Sequence, residues 1–248
     1  MRMDRRNFLI GSLALGAAGI LSAAEAAPVI DDSPTRVQTT LKVGFRPVGT
    51  LRPKAVGEVS ASRWTLDCAG MDREHANWLS IRDYVAPLGI ARIRQQAGWA
   101  RCEKDPGIYD FAWLDQVVLD AKKRGISVWM ELSYGNPAYP GGGGRQLSAG
   151  FPTSPEALAA WDRWVGLMAE RYAGIVRDWC IWNEPDLCEK NDPVFAAQFA
   201  IRTAEIVRRR IPEAYICAYA LCELRPRFVK PLLDALTSSG KTKLIDCI

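Results

Sequence analysis

Two hydrophobic periodicities alternate along the chain from about residue 63 onward. Short apolar, β-rich runs predict strands near 63–67, 91–95, 126–132, 176–182, 214–219 and 243–248. Helical spacing of apolar residues predicts helices over 72–87, 111–124, 154–172, 193–210 and 226–236. Gly89 and Gly125 stand where a left-handed residue ends a helix, and Ser154-Pro155 is typical of a helix start. The alternation predicts an α/β fold with a parallel sheet covered by helices.

A closed barrel and an open doubly wound sheet both fit this alternation. The long segments 98–109, 133–152 and 184–192 all follow strands, whereas the segments that follow helices are short. Barrel enzymes build their sites from the loops at the carboxyl ends of the strands, so this asymmetry favours a (β/α)₈ TIM barrel. No G-x-G-x-x-G loop follows the first strand, and Gly141–Gly144 is interpreted as a flexible loop tip without phosphate-binding features.

The first 26 residues are predicted to be a signal peptide of the twin-arginine type. Arg5 and Arg6 precede Phe8-Leu9, an apolar run follows, and a small-residue cleavage site ends at Ala26. An ordinary signal peptide or a membrane anchor is the alternative, but the run is too short and too rich in Gly and Ala for a stable span. We therefore expect a periplasmic or secreted protein. Residues 27–62 are rich in Pro, Gly and Thr and are predicted to be a lead-in segment before a catalytic domain at 63–248.

Composition narrows the class of protein further. Of the 248 residues 48% are hydrophobic and 24% are charged, which is typical of one large globular domain. The net charge is only +4 and basic residues are interspersed with acids, which argues against nucleic-acid binding. His75 is the only histidine and the seven cysteines lack zinc-site spacing, so neither a metal nor another cofactor is expected.

One carboxyl group stands out by its position in this pattern. The apolar run 178–182 ends in Asn183-Glu184-Pro185, so Glu184 lies where a barrel strand meets its loop, a position typical of catalytic residues. Hydrolysis of a glycosidic bond needs one carboxylic acid to protonate the leaving oxygen and a second carboxylate to act at the anomeric carbon. The alternative for Glu184 is an ordinary loop carboxylate at the surface.

With these residues the chain resembles the retaining glycoside hydrolases of the large (β/α)₈ clan. Within that clan it is most similar to glycoside hydrolase family 39, a group that includes β-xylosidases. The resemblance covers about residues 60–248 and rests on Trp182-Asn183-Glu184-Pro185 together with the runs 91–99, 107–115 and 130–137. It implies hydrolysis of O-glycosidic bonds in oligo- or polysaccharides, with a carbohydrate as the substrate.

The resemblance also implies roles for individual residues. It makes Glu184 the acid/base, Asn183 a substrate contact, and Arg94 a second-strand residue that orients the nucleophile carboxylate. Arg94 could instead pair with Glu131 inside the barrel, because a buried charge needs a partner.

Four further residues are candidate substrate contacts. Trp99, Tyr134 and Trp182 could form a wall on which sugar rings stack, although large aromatic residues at the bases of loops are equally often core. Asn136, in the same run as Tyr134, is expected to contact substrate.

The strand count leaves the predicted barrel incomplete. The sixth strand begins near Lys243 and the sequence stops at Ile248, which gives about five and a half of eight βα units. In the clan the nucleophile Glu ends the seventh strand, so it is expected to be missing from this chain. The alternatives are a non-catalytic carbohydrate-binding or scaffold protein, an inactive fragment, or a doubly wound binding protein.

Overall fold

A computed structural model describes residues 44, 52, 54–60, 62 and 64–248. The predicted signal peptide at 1–26 and most of the lead-in at 27–62 lie outside the described residues. Residues 51–248 form one compact unit. None of the helices in the described part of the chain is long and apolar enough to cross a membrane.

Strands and helices alternate through the described unit. The strands are β1 (Leu66–Asp67), β2 (Arg92–Gln96), β3 (Ser127–Glu131), β4 (Asp178–Asn183) and β5 (Tyr215–Ala220). The helices are α1 (Trp78–Val85), α2 (Trp99–Cys102), α3 (Ala112–Lys123), α4 (Pro155–Arg171), α5 (Pro193–Arg210) and α6 (Pro226–Ser238). Three 3₁₀ turns cover Val56–Glu58, Ala69–Met71 and Thr242–Leu244.

The five strands form one parallel sheet in sequence order, β1-β2-β3-β4-β5. A doubly wound sheet reverses its strand order at a switch point, whereas a barrel adds each strand beside the last. The order therefore confirms the barrel-type α/β fold predicted from the sequence, and the sheet is not closed within the described residues.

Several element boundaries differ from the sequence prediction. Helix α1 begins at Trp78 instead of near residue 72, because the Asn77 side chain accepts a hydrogen bond from the backbone N–H of Leu79 and caps the helix there. The short helix α2 was not predicted. In place of a sixth strand over 243–248, only the segment around Asp246 and Cys247 pairs with β5, after the 3₁₀ turn.

The register places side chains from all strands in rows on one face of the sheet. One row consists of Gln96, Glu131, Cys180, Cys217 and Cys247, and the adjacent row consists of Asp67, Arg94, Trp129, Asp178 and Tyr215. Because side chains alternate between faces, the residues between these rows point the other way, towards the helices. We call the face that carries both rows the inner face.

The helix-covered side holds a core rich in aromatic rings. Trp161 is fully buried and packs edge-on or tilted against Trp99, Trp164, Trp182 and Phe199 at centroid distances of 4.9–5.6 Å. Contacts of this kind stabilise a core beyond the free energy of simple burial. This cluster lies under the carboxyl ends of the strands and holds the loops above it.

The glycine-rich loop after β3 is packed, which corrects its interpretation as a flexible tip. A Cβ atom at Gly142 would lie 2.0 Å from the carbonyl oxygen of Asn136, and one at Gly143 would lie 2.3 Å from that of Gly150. The backbone N–H groups of Gly135 and Asn136 donate to the carbonyls of Gly144 and Gly142 at 2.9 and 2.8 Å. The glycines therefore allow close contact of backbone with backbone rather than mobility.

Candidate active site

Glu184 directly follows the carboxyl end of β4 in a left-handed backbone conformation, with φ of 50°. Its backbone N–H donates to the Ala220 carbonyl at the end of β5 (2.7 Å), and its own carbonyl accepts from Leu187 N–H (3.2 Å). These bonds turn the chain sharply away from the sheet. The side chain is half-buried, so the carboxyl group remains within reach of a ligand at this end of the sheet.

Asn183 is held by two neighbours through its side-chain amide. The amide nitrogen donates to the Tyr134 hydroxyl (2.5 Å), and the amide oxygen accepts from Arg94 Nη2 (2.5 Å). Its backbone N–H donates to Ser133 Oγ (3.1 Å). Asn183 therefore links β4 to the ends of β2 and β3, and fixes the residue that immediately precedes Glu184.

Arg94 and Glu131 form an ion pair on the inner face. Arg94 Nη2 and Nε donate to Glu131 Oε2 at 2.6 and 3.1 Å. Gln96 Nε2 and Ser133 Oγ donate to the other carboxylate oxygen at 2.7 and 3.1 Å. Every oxygen of this fully buried carboxylate thus has partners, as a buried charge requires. Arg94 makes the contact to Glu131 that the sequence offered as one alternative, and it also contacts Asn183, beside Glu184, which the sequence did not suggest.

Burial shifts the ionisation of two groups in this network. Burial raises the pKa of Glu131 above its ordinary range. The Arg94 guanidinium and the Gln96 amide act in the opposite direction and lower this pKa, but by less. Burial also raises the pKa of Tyr134 to about 12, and the charges of Glu131 and Glu184 contribute to the same direction. Tyr134 is therefore a neutral hydrogen-bonding group in the Asn183 contact at ordinary pH.

Sequence reasoning missed a second carboxyl group close to this network, Asp72. Asp72 is 4% exposed, and burial raises its pKa to about 7, with the Arg73 guanidinium acting in the opposite direction. Arg73 Nη1 bridges Asp72 Oδ2 (3.0 Å) and Gln96 Oε1 (2.8 Å), and the guanidinium stacks 5.6 Å from the Tyr134 ring centroid. No sequence motif marks Asp72: its partner Arg73 is adjacent, but the burial of the carboxyl and the link from Arg73 to Gln96 arise only in the fold.

The predicted substrate contacts Trp99 and Asn136 lie inside the protein. Trp99 is 0% exposed, stacks on Tyr139 and Trp164, and donates from Nε1 to the buried Glu103 carboxylate (2.5 Å). Asn136 donates from its amide to the Glu103 carbonyl (2.7 Å). Because both side chains are almost completely buried, Trp99 is better described as a core residue, and Asn136 as a residue that stabilises its loop, than as substrate contacts.

Trp182 and Tyr134 meet each other below the Glu184 turn. Their rings pack edge to face at 5.6 Å, and both are at most 1% exposed. Tyr134 holds the Asn183 amide through its hydroxyl, and the faces of both rings lie within the packed structure rather than on an open wall.

The loops after β4 and β5 are joined by Asp186. Its buried carboxylate accepts hydrogen bonds from the backbone N–H groups of Cys222 (3.0 Å) and Glu223 (2.8 Å). A cleft of about 410 Å³ lies between the same loops and is lined in part by Asp186, Glu189, Asn191, Arg225 and Phe228. Glu184 does not line this cleft.

Comparison with solved structures identifies the fold. The structure is similar to a family 39 glycoside hydrolase from the gut symbiont Bacteroides cellulosilyticus WH2, with a TM-score of 0.51 and 25% identity over 64% of this chain and 32% of that one. It is also similar to a monomeric β-xylosidase from Caulobacter crescentus CB15, with a TM-score of 0.55 and 19% identity over 71% of this chain and 39% of that one.

A third similar structure is a xylanase from Paenibacillus barcinonensis, with a TM-score of 0.55 and 15% identity over 78% of this chain and 61% of that one. No protein-family model and no curated protein sequence matches the chain. The structural neighbours are glycoside hydrolases, and the resemblance to family 39 inferred from the motifs is confirmed for the fold, that of a partial (β/α)₈ barrel. The chain spans only about a third to three fifths of these proteins' own lengths.

Proposed function

We propose that this chain carries the acid/base half of a retaining glycosidase, with Glu184 as the proton donor and acceptor. The observation that carries the proposal is the position of Glu184: a half-exposed carboxyl immediately beyond β4, on a turn fixed by β5 and by the Asn183 contacts. The acid of a glycosidase must reach the leaving oxygen and then a water molecule, which requires both access and a fixed direction.

In this proposal the substrate is an oligo- or polysaccharide. The similarity to a β-xylosidase and a xylanase supports this class of substrate without selecting a particular sugar. Asn183 has one amide hydrogen left after its bond to Tyr134, and that hydrogen is suited to donate to a sugar hydroxyl.

Arg94 serves in this proposal to hold Asn183 and Glu131 in place. A retaining mechanism also needs a nucleophile carboxylate about 5–5.5 Å from the acid/base. By the clan resemblance this nucleophile belongs to a seventh strand, whereas the described residues form five strands.

The test is the Glu184→Gln variant of the protein expressed from its whole natural reading frame. Loss of proton donation should lower kcat on glycosides with poor leaving groups by about 10²–10⁴-fold. Activated aryl glycosides should lose much less in the glycosylation step, because their leaving groups depart with little protonation. Added azide should restore turnover by replacing the water that Glu184 would otherwise activate.

Glu189→Gln, in the same loop but exposed, is the matched control and should leave both rates unchanged. Equal losses on both kinds of substrate without azide rescue would assign Glu184 a structural role. Saccharide binding by a protein that never hydrolyses any glycoside would instead support a non-catalytic carbohydrate-binding function.

Export is a separate part of the proposal and is supported by the Arg5-Arg6 motif alone. A twin-arginine substrate should be found outside the cytoplasm with Ala27 as its first residue. Recovery of the uncleaved chain from the cytoplasm would contradict this route.

A further inference from the structure

Three cysteines lie side by side on the inner face of the sheet, outside the proposed active site. Cys180 on β4 is in register with Cys217 on β5, and Cys217 is in turn bridged in parallel to Cys247. Their Cα atoms are therefore direct cross-strand neighbours, at a spacing of about 4.8 Å for adjacent strands. This spacing lies within the range of about 4.4–6.8 Å over which a disulfide can form.

All three cysteines are free thiols, and they differ in access. Cys180 is 0% exposed and Cys217 is 9% exposed, whereas Cys247 is half-buried. Cys247 also lines an open cavity of about 220 Å³, together with Leu233, Leu236 and Ile245. A small reagent in solution therefore reaches the Cys247 end of the row first.

Cys217 lies between the other two cysteines in the row. Its thiol and that of Cys180 donate to the backbone carbonyls of Tyr219 (3.4 Å) and Trp182 (3.6 Å). The neighbouring Cys180 thiol is the main cause that lowers the pKa of Cys217 to about 7, and Cys247 acts in the same direction against burial. Burial chiefly raises the pKa of Cys247 to about 11, so Cys217 is the more readily ionised of the two, and the thiolate is the reactive form of cysteine.

Metal binding does not account for the row. Among the described residues no group of three or more His, Cys, Asp or Glu side chains is arranged to hold a metal ion. The geometry favours chemistry between two sulfurs instead.

We propose that Cys217 and Cys247, which are neighbours across the β5 edge, form a reversible disulfide that fastens the segment around residue 247 to β5. The oxidant is a small disulfide such as oxidised glutathione. The more exposed Cys247 thiol loses its proton to solvent and attacks one sulfur of that disulfide, which forms a mixed disulfide and releases one glutathione thiolate. The Cys217 thiolate then attacks the Cys247 sulfur and releases the second.

This exchange balances in protons and electrons. Two protein thiols lose two protons and two electrons in forming one S–S bond, and one molecule of oxidised glutathione becomes two molecules of the thiol. Reduced dithiothreitol reverses both steps.

The test uses the whole chain, incubated with oxidised glutathione, alkylated at the remaining thiols and digested with trypsin. Cys217 and Cys247 fall in different tryptic peptides, 211–227 and 244–248, and Cys180 falls in a third, 178–190. We expect a cross-link between the first two peptides that dithiothreitol removes. Oxidation should also raise Tm on the order of 5 °C, because the bond closes a long loop.

Three variants separate the possible cross-links. Cys247→Ser should abolish the cross-link and the rise in Tm. Cys222→Ser is the matched control for the other cysteine in peptide 211–227 and should leave both unchanged. Cys180→Ser should leave both the cross-link and the rise in Tm in place, because Cys180 is not one of the two paired sulfurs.

Other outcomes would overturn the proposal. A cross-link from peptide 178–190 to peptide 211–227 that persists in Cys188→Ser and in Cys222→Ser would assign the pair to Cys180 and Cys217. Glutathione adducts without any cross-link would show that the sulfurs of Cys217 and Cys247 do not approach each other.

Discussion

At the scale of single residues, Asp72 is the carboxyl group least satisfied by its surroundings. One oxygen accepts from Arg73 Nη1, while Oδ1 is buried with no hydrogen-bond partner among the described residues. A Cβ atom at Gly98 would lie 2.7 Å from Asp72 Cβ, so the close approach of Gly98 helps to enclose this carboxyl. Enclosure favours the protonated form, and the pKa rises from 3.8 to about 7.

This shift predicts a specific pH dependence of stability. The folded state binds the Asp72 proton more tightly than the unfolded state does. The resulting contribution to the free energy of unfolding is fully present below about pH 4 and is lost as the pH rises to about 7. Asp72→Asn should therefore match the wild-type free energy of unfolding at pH 4 and exceed it by roughly 1–3 kcal/mol at pH 8. Urea unfolding at both pH values measures the difference.

Asp105→Asn is the control for this experiment, because Asp105 is exposed, and it should change stability equally little at both pH values. A pH-independent effect of Asp72→Asn would mean that the Asp72 carboxylate is stabilised in the folded protein by contacts other than those with Arg73.

At the scale of elements, the loop after β4 is fastened to the loop after β5 by one side chain. The Asp186 carboxylate accepts the N–H groups of Cys222 and Glu223, and the Glu184 turn lies between this contact and the end of β4. The direction of Glu184 thus depends on two neighbouring elements instead of on its own loop alone.

Replacing Asp186 should release both loops. Asp186→Ala leaves two backbone N–H groups without their charged acceptor, and we expect the free energy of unfolding to fall by about 2–3 kcal/mol in urea. Asp186→Asn retains one acceptor oxygen and should lose about half as much. Glu189→Ala, exposed in the same loop, should have no measurable effect; a loss as large as that of Asp186→Ala would assign the effect to the loop as a whole.

Helices with strong local signals could be predicted closely from the sequence. Helices α4 and α5 start next to Ser154 and Asp192, whose side chains cap them, and each has proline at its first position. Helix α1 was misplaced because the chain between residues 72 and 77 forms turns, including Glu74 at positive φ, that its apolar spacing does not reveal.

The residues of the candidate site likewise fall into two groups, those that a local sequence pattern marks and those that it does not. The position of Glu184 at the end of β4 could be predicted, because it follows from a local pattern, an apolar strand that ends in a carboxyl group. Gln96, Ser133 and Asp72 could not. Gln96 and Ser133 contact Glu131 and Asn183 of neighbouring strands, and Asp72 is enclosed by Gly98, all far away in the sequence. For Trp99, the sequence shows an aromatic residue at the base of a loop. It does not show whether the side chain points towards a ligand or into the core, because both are common for such residues.

At the scale of the whole molecule, the sheet has two weakly paired edges within the described residues. Strand β1 is two residues long and pairs only with β2, and the other side of β5 is paired only around Asp246 and Cys247. Tyr215, on the inner face of β5, is 43% exposed. Unpaired strand edges with exposed apolar neighbours favour association with another chain.

We therefore predict that the 248-residue chain self-associates. Light scattering after size-exclusion chromatography should give a mass that rises with protein concentration in the micromolar range. Tyr215→Lys should shift the distribution towards monomer, because a charge on the inner face opposes edge-to-edge contact. A monomer with a sharp cooperative melt at all concentrations would contradict the prediction.

The packed glycine loop after β3 limits where this protein can be redesigned. Random substitution at Gly135, Gly142 or Gly143 places a side chain onto neighbouring backbone and should yield mostly misfolded variants. The exposed positions Arg145, Gln146 and Leu147 belong to the same loop and carry side chains that already face solvent. A mutant library aimed at new ligand preferences should therefore vary this short stretch and keep the glycines constant.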